Sequence, residues 1–93
     1  MTDEKSAKVY VRVDAVFTED GQMLPRALVW EDGKRYEIDR VTLVRPAAAA
    51  RAGGCGDRYT IIVEGREKYI FFERAADLTG NRLGKWFVER RAV

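Results

Sequence analysis

The chain has 93 residues, 46% of them hydrophobic and 34% charged, which is the composition of one folded domain rather than of a disordered or membrane-spanning chain. It has no histidine and one cysteine, so imidazole bases, His-paired nucleophiles, His metal ligands, intrachain disulfides and paired-cysteine zinc sites are excluded. Seventeen basic side chains against fifteen acidic ones leave a net charge of +2, too balanced to imply nucleic acid from bulk charge alone.

Met1-Thr2-Asp3-Glu4-Lys5 is polar and is followed by no apolar core of a secretory signal. Residues 1–7 read as a frayed tail before a single domain over 8–93. Val9, Val11, Val13, Ala15 and Phe17 alternate with Tyr10, Arg12, Asp14 and Val16, the period of a half-buried strand. Thr18-Glu19-Asp20-Gly21 is a turn. The next segment carries Leu24, Leu28 and Trp30 on one parity. Pro25 lacks an N–H and belongs at an edge, a strand start or a bulge.

Glu31-Asp32-Gly33-Lys34 reads as a two-residue hairpin turn of type I′, which needs positive φ at both central positions. The strand after it places Tyr36 and Ile38 on even positions but Val41 and Leu43 on odd ones. One strand keeps all four on one face only if a residue is inserted, so a β-bulge or sharp bend is expected near Asp39-Arg40.

Pro46 to Asp57 breaks the alternation and reads as a loop, with at most one helical turn over Ala47–Ala52 before Gly53-Gly54-Cys55-Gly56. Tyr59, Ile61 and Val63 resume the period of two. Gly65-Arg66 turns the chain into Glu67–Arg74, whose Tyr69-Ile70-Phe71-Phe72 run predicts burial on both faces. Ala75–Gly84 is a longer connection, and Trp86-Phe87-Val88 a last short strand. The fold class is therefore all-β: a mostly antiparallel meander of five to six strands closed into a small barrel or roll, SH3-like in size.

The clusters Trp30–Val41, Gly56–Thr60, Tyr69–Glu73 and Trp86–Glu89 together resemble small stand-alone bacterial β proteins classed as domains of unknown function. The likeness runs from about Arg26 to Glu89. It implies the all-β fold and carries over no catalytic, cofactor or metal residue.

The remaining constellations have plain structural explanations. Cys55 has neither a base nor a resolving thiol, although Arg51 and Arg58 nearby would favour its thiolate, so it is read as a loop thiol without a chemical role. Glu31, Asp32, Glu37 and Asp39 bracket one hairpin, but Lys34, Arg35 and Arg40 are interleaved with them, the ordinary decoration of a solvated sheet face. The glycine-rich loop lacks the spacing of a phosphate-binding loop.

Twelve arginines against five lysines, several beside aromatics, resemble the basic, stacking surfaces of small barrels that bind single strands. Trp30, Phe72 and Phe87 are expected to fill the barrel, while Tyr10, Tyr36, Tyr69 and Trp86 can instead line a groove of the kind that holds peptides. The surface expected to bind comprises Tyr10, Arg12, Tyr36, Arg58, Arg66, Tyr69, Trp86, Arg90 and Arg91. The expected function is a non-enzymatic cytoplasmic interaction module with a protein or peptide partner, self-association included. Nucleic-acid binding through Arg12, Arg58, Arg66, Arg90 and Arg91 is the alternative. No cofactor, metal or membrane partner is expected.

Overall fold

The computed structural model describes residues 6–48, 55–75 and 81–91. They form seven strands: β1 (Ser6–Phe17), β2 (Met23–Val29), β3 (Arg35–Glu37), β4 (Arg40–Ala48), β5 (Cys55–Val63), β6 (Arg66–Arg74) and β7 (Gly84–Arg91). No helix occurs among these residues, and so none long and apolar enough to cross a membrane. All pairings are antiparallel, in the order β3-β2-β1-β7-β6-β5-β4.

The all-β expectation holds, but with seven strands instead of five to six. The extra strand comes from the parity conflict between Tyr36/Ile38 and Val41. The chain resolves it by a break at Ile38–Asp39. The Ile38 amide donates to the Arg26 carbonyl of β2 (2.9 Å), and the next amide, Asp39, donates to the Ile62 carbonyl of β5 (2.8 Å). Successive N–H groups thus reach strands from opposite ends of the sheet order, so the sheet curls into a half-barrel with its two edges joined at this corner. Tyr36, Ile38 and Val41 all face the same core as a result. A register shift between Val41 and Leu43 supplies the bulge, slightly later than expected. Beyond it Leu43 and Val44 are exposed.

The barrel is not closed all round. β7 pairs with β6 only from Gly84 to Phe87 and then continues beside β1 alone. The concave side holds the core: Leu28, Ile38, Tyr59, Ile61, Val63, Ile70, Phe72, Trp86 and Val88, with Trp30 half-buried against it. Trp86 packs at 5.0 Å from both Tyr59 and Phe72, and the Tyr59 hydroxyl donates to the Met23 carbonyl (3.0 Å), tying β5 to β2 across the interior. Burial raises the Tyr59 pKa above its ordinary value, with the nearby Asp57 charge adding to the shift. Ile70, Phe71 and Phe72 are all buried, so the apolar run in β6 does have both faces covered. Phe87 is not among the barrel's filling residues; it lies on the opposite, convex face.

Pro25 sits at a bulge. The register passes from Asp14↔Ala27 to Ala15↔Pro25, leaving Arg26 as the inserted residue. Both ends of the connection expected over Pro46–Asp57 are strand, with Pro46↔Asp57, Ala47↔Gly56 and Ala48↔Cys55 in register. Cys55 therefore opens a strand rather than sitting in a loop. The rest of the expected helical turn, Ala49–Ala52, and Gly53-Gly54 lie outside the described residues, as do residues 1–5 of the expected tail. Cross-strand pairing also lengthens the last strand beyond Trp86–Val88.

The Asp32-Gly33 turn is a three-residue loop, not type I′. Gly33 N donates to Trp30 O and Trp30 N to Lys34 O, with positive φ at Gly33 alone. Glu19-Asp20-Gly21 repeats the same tripeptide and the same hydrogen bonds, from Gly21 to Thr18 and from Thr18 to Gln22. The two-residue turn is instead Glu64-Gly65, with φ of 52° and 77°. Glutamate is poorly suited to this left-handed conformation, whereas asparagine adopts it readily. Glu64→Asn is expected to stabilise the protein by about 0.5–1 kcal/mol. Thermal denaturation checks this as a rise in Tm of roughly 2–8 °C.

Candidate binding surfaces

The curl and the partial separation of β6 from β7 create a groove of about 790 Å³ on the concave side. Leu28, Trp30 and Tyr36 from β2, the turn after it and β3 form one wall. Ile61 and Val63 of β5 and Ile70 of β6 form the other, with Val88 between them. Arg66 and Lys68 stand at the rim, both exposed, and Glu64 and Glu89 line the groove as well. Val63↔Arg66 and Ile61↔Lys68 are register pairs, which places both cations on the groove side. Neither forms an ion pair among the described residues. Over Arg66–Ile70, β6 pairs with β5 on one edge, and no register pair joins its other edge to β7.

The convex face is built differently. Register alone lines up Tyr10 (β1), Phe87 (β7), Phe71 (β6), Arg58 (β5) and Arg45 (β4) in one row across five strands. Phe71 and Phe87 stack at 5.0 Å with their planes 7° apart, and Tyr10 meets Phe87 edge-on at 6.1 Å. Lys8 Nζ lies 5.0 Å over the Phe87 ring and pairs with Glu73 at 3.2 Å. The Tyr10 hydroxyl donates to the same Glu73 oxygen at 3.0 Å. These charged and phenolic groups cover Phe87, which is fully buried although it lies on the outside of the half-barrel. The hydrogen bond from Lys8, then that from Tyr10, holds the Glu73 carboxyl below its ordinary range, and the same bond to Glu73 raises Lys8.

Further along this face the Arg58 guanidinium lies 4.6 Å over the Tyr69 ring, and Lys85 Nζ 5.0 Å over Tyr10. Arg12 and Arg35 both bond to Asp14, at 3.3 and 2.7 Å, and the Arg35 hydrogen bond is the largest influence holding the Asp14 carboxyl low. Arg35 also holds Glu37 at 2.8 Å, a pair along one strand of the hairpin rather than across two.

The residues expected to form one surface divide between the two sides. Tyr10, Arg12 and Arg58 lie on the convex face, as does Tyr69, which also lines the groove at the β6 edge. Tyr36 and Arg66 belong to the groove, and Trp86 is in the core behind it. Arg90 and Arg91 oppose Ala7 and Ser6 in β7, and their side chains are outside the described residues. Lys8, Arg45, Lys68 and Glu73 were missed by sequence reasoning, because their roles come from strand register, which local patterning does not give. No group of His, Cys, Asp and Glu with a metal-binding arrangement occurs among the described residues.

No protein-family model, curated protein or solved structure matches this chain. Its function is read from these two faces.

Proposed function

We propose that the protein is a non-enzymatic interaction module that holds an extended segment of a protein partner in the concave groove. The observation that carries this reading is the apolar, aromatic-walled groove of about 790 Å³ beside the β6 edge at Arg66–Ile70. A groove of this size is on the scale of ligand-binding clefts, and a strand edge offers main-chain hydrogen bonds to an added strand. Alternate side chains of such a segment face the groove, the apolar ones against its wall and an acidic one at the rim, where Arg66 and Lys68 favour a carboxylate on that same side. The partner's chemistry is thus an extended segment whose groove-facing, alternate side chains include both apolar and acidic residues.

A short synthetic peptide carrying valine and aspartate at its alternate, groove-facing positions and threonine between them tests this by amide chemical-shift mapping. Saturable shifts are expected at residues 66–70 and at the Trp30 indole, and the Arg66→Glu/Lys68→Glu double variant should weaken binding at least about tenfold. No saturable shift, shifts confined to the convex face, or equal binding of a valine–lysine peptide would overturn the reading.

A further inference from the structure

We propose that Arg45, Arg58 and Tyr69 on the convex face form a site for a dianionic phosphate group. Arg45 and Arg58 are direct register partners on β4 and β5. Side chains of such a pair start roughly 5 Å apart at Cβ, and like charges placed so are destabilising unless something lies between them. Neither arginine forms an ion pair among the described residues. The nearest carboxylate in sequence, Asp57, is held by Arg74 at 3.1 Å. Lys8, Arg12 and Arg35, by contrast, each have an acidic partner.

The Arg58 Nε–H is shielded from solvent and has no acceptor, an arrangement that costs free energy. Its guanidinium is held in place by the Tyr69 ring. The Arg58 guanidinium carbon sits 4.6 Å from the Tyr69 ring centre, on the strand position that pairs with Arg45. Two guanidinium groups carried by one register pair match the charge and the several acceptor oxygens of a dianionic phosphate better than those of a single carboxylate. Tyr69 is 48% exposed, so it also offers an aromatic surface to whatever carries the phosphate.

Titration of the whole chain with inorganic phosphate, phenyl phosphate and a single-stranded thymidine oligonucleotide, at constant ionic strength, tests the site. Inorganic phosphate is expected to shift the amides around Arg45 and Arg58 saturably. Arg45→Gln and Arg58→Gln should each weaken binding at least about tenfold while circular dichroism shows the sheet intact. Tighter binding of phenyl phosphate would identify a phosphomonoester on a ring as the source, and equal binding would identify free phosphate. Equal shifts with chloride, undiminished phosphate binding in both variants, or binding of the oligonucleotide alone would overturn the proposal.

Discussion

Phe87→Ala is expected to lower stability by about 3–5 kcal/mol, the range for emptying a fully buried phenylalanine site. Whole domains are stable by only about 5–15 kcal/mol, so this variant will be near its unfolding limit at room temperature. The size of the effect is not obvious from topology, since Phe87 points away from the barrel interior. It follows from the lid over the ring: the Phe71 stack, the Tyr10 edge and the Lys8–Glu73 pair. Removing the ring leaves a hole that Lys8 cannot fill without losing Glu73, and that Phe71 cannot enter without leaving its strand position. Phe87→Leu keeps most of the volume and is expected to cost about 1–1.5 kcal/mol. Urea denaturation of both variants measures the difference. A loss below about 1 kcal/mol for Phe87→Ala would mean that the convex cluster is a solvated decoration and not a second small core.

Gly84→Ala is expected to be at least as damaging, for a steric reason. A Cβ at Gly84 would stand 2.3 Å from the Glu73 carbonyl oxygen and 2.7 Å from Phe72 Cζ. On the other side of β6, a Cβ at Gly56 would stand 2.3 Å from the Phe72 carbonyl. The backbone at Phe72–Glu73 is therefore hemmed between two glycines, and moving it away from one drives it toward the other. Overpacking that forces backbone shifts costs roughly 1–3 kcal/mol and occasionally more; with backbone on both sides, about 3 kcal/mol or more is expected for Gly84→Ala. Chemical denaturation again gives the value. Adding Phe72→Leu should recover only part of the loss, because it relieves the ring contact and leaves the carbonyl contact in place. A Gly84→Ala protein within about 0.5 kcal/mol of the parent would show that β6 yields freely at this point.

Much of the fold was legible because period-two patterning and turn residues act locally. The missing N–H of Pro25 restricts it to an edge, a strand start or a bulge, and a bulge is where it lies. The apolar run Tyr69–Phe72 signals a strand covered on both faces, which holds for Ile70–Phe72 but not for the exposed Tyr69. The parity clash between Ile38 and Val41 located the corner within a residue or two. Its form was not legible, because two successive amides choosing carbonyls on β2 and β5 is a long-range decision. Glu64-Gly65 escaped notice as the type I′ turn because glutamate is an unusual residue there, while Asp32-Gly33 carries that turn's usual residues and takes another form. The site was less legible still. Alternation tells which residues share a face of one strand, but not which face is concave nor which residue of a distant strand lies opposite. Arg45 and Arg58 are thirteen positions apart and meet only through register. Phe87 was expected inside the barrel because its size and apolarity say that it is buried, and nothing local says on which side.

β1 lies inside the sheet between β2 and β7, and its two halves depend on very different parts of the chain. Its C-terminal half, from Arg12, finds β2 across a tight turn, whereas Ser6–Val11 must wait for β7, some eighty positions later. During synthesis β1 thus keeps one long edge open until β7 has been made. Valines 9 and 11, which end up against the core, are exposed to any passing strand in that interval. Folding of this domain is accordingly a late, all-or-none event paced by its most distant pairing, and slow for a chain of its length.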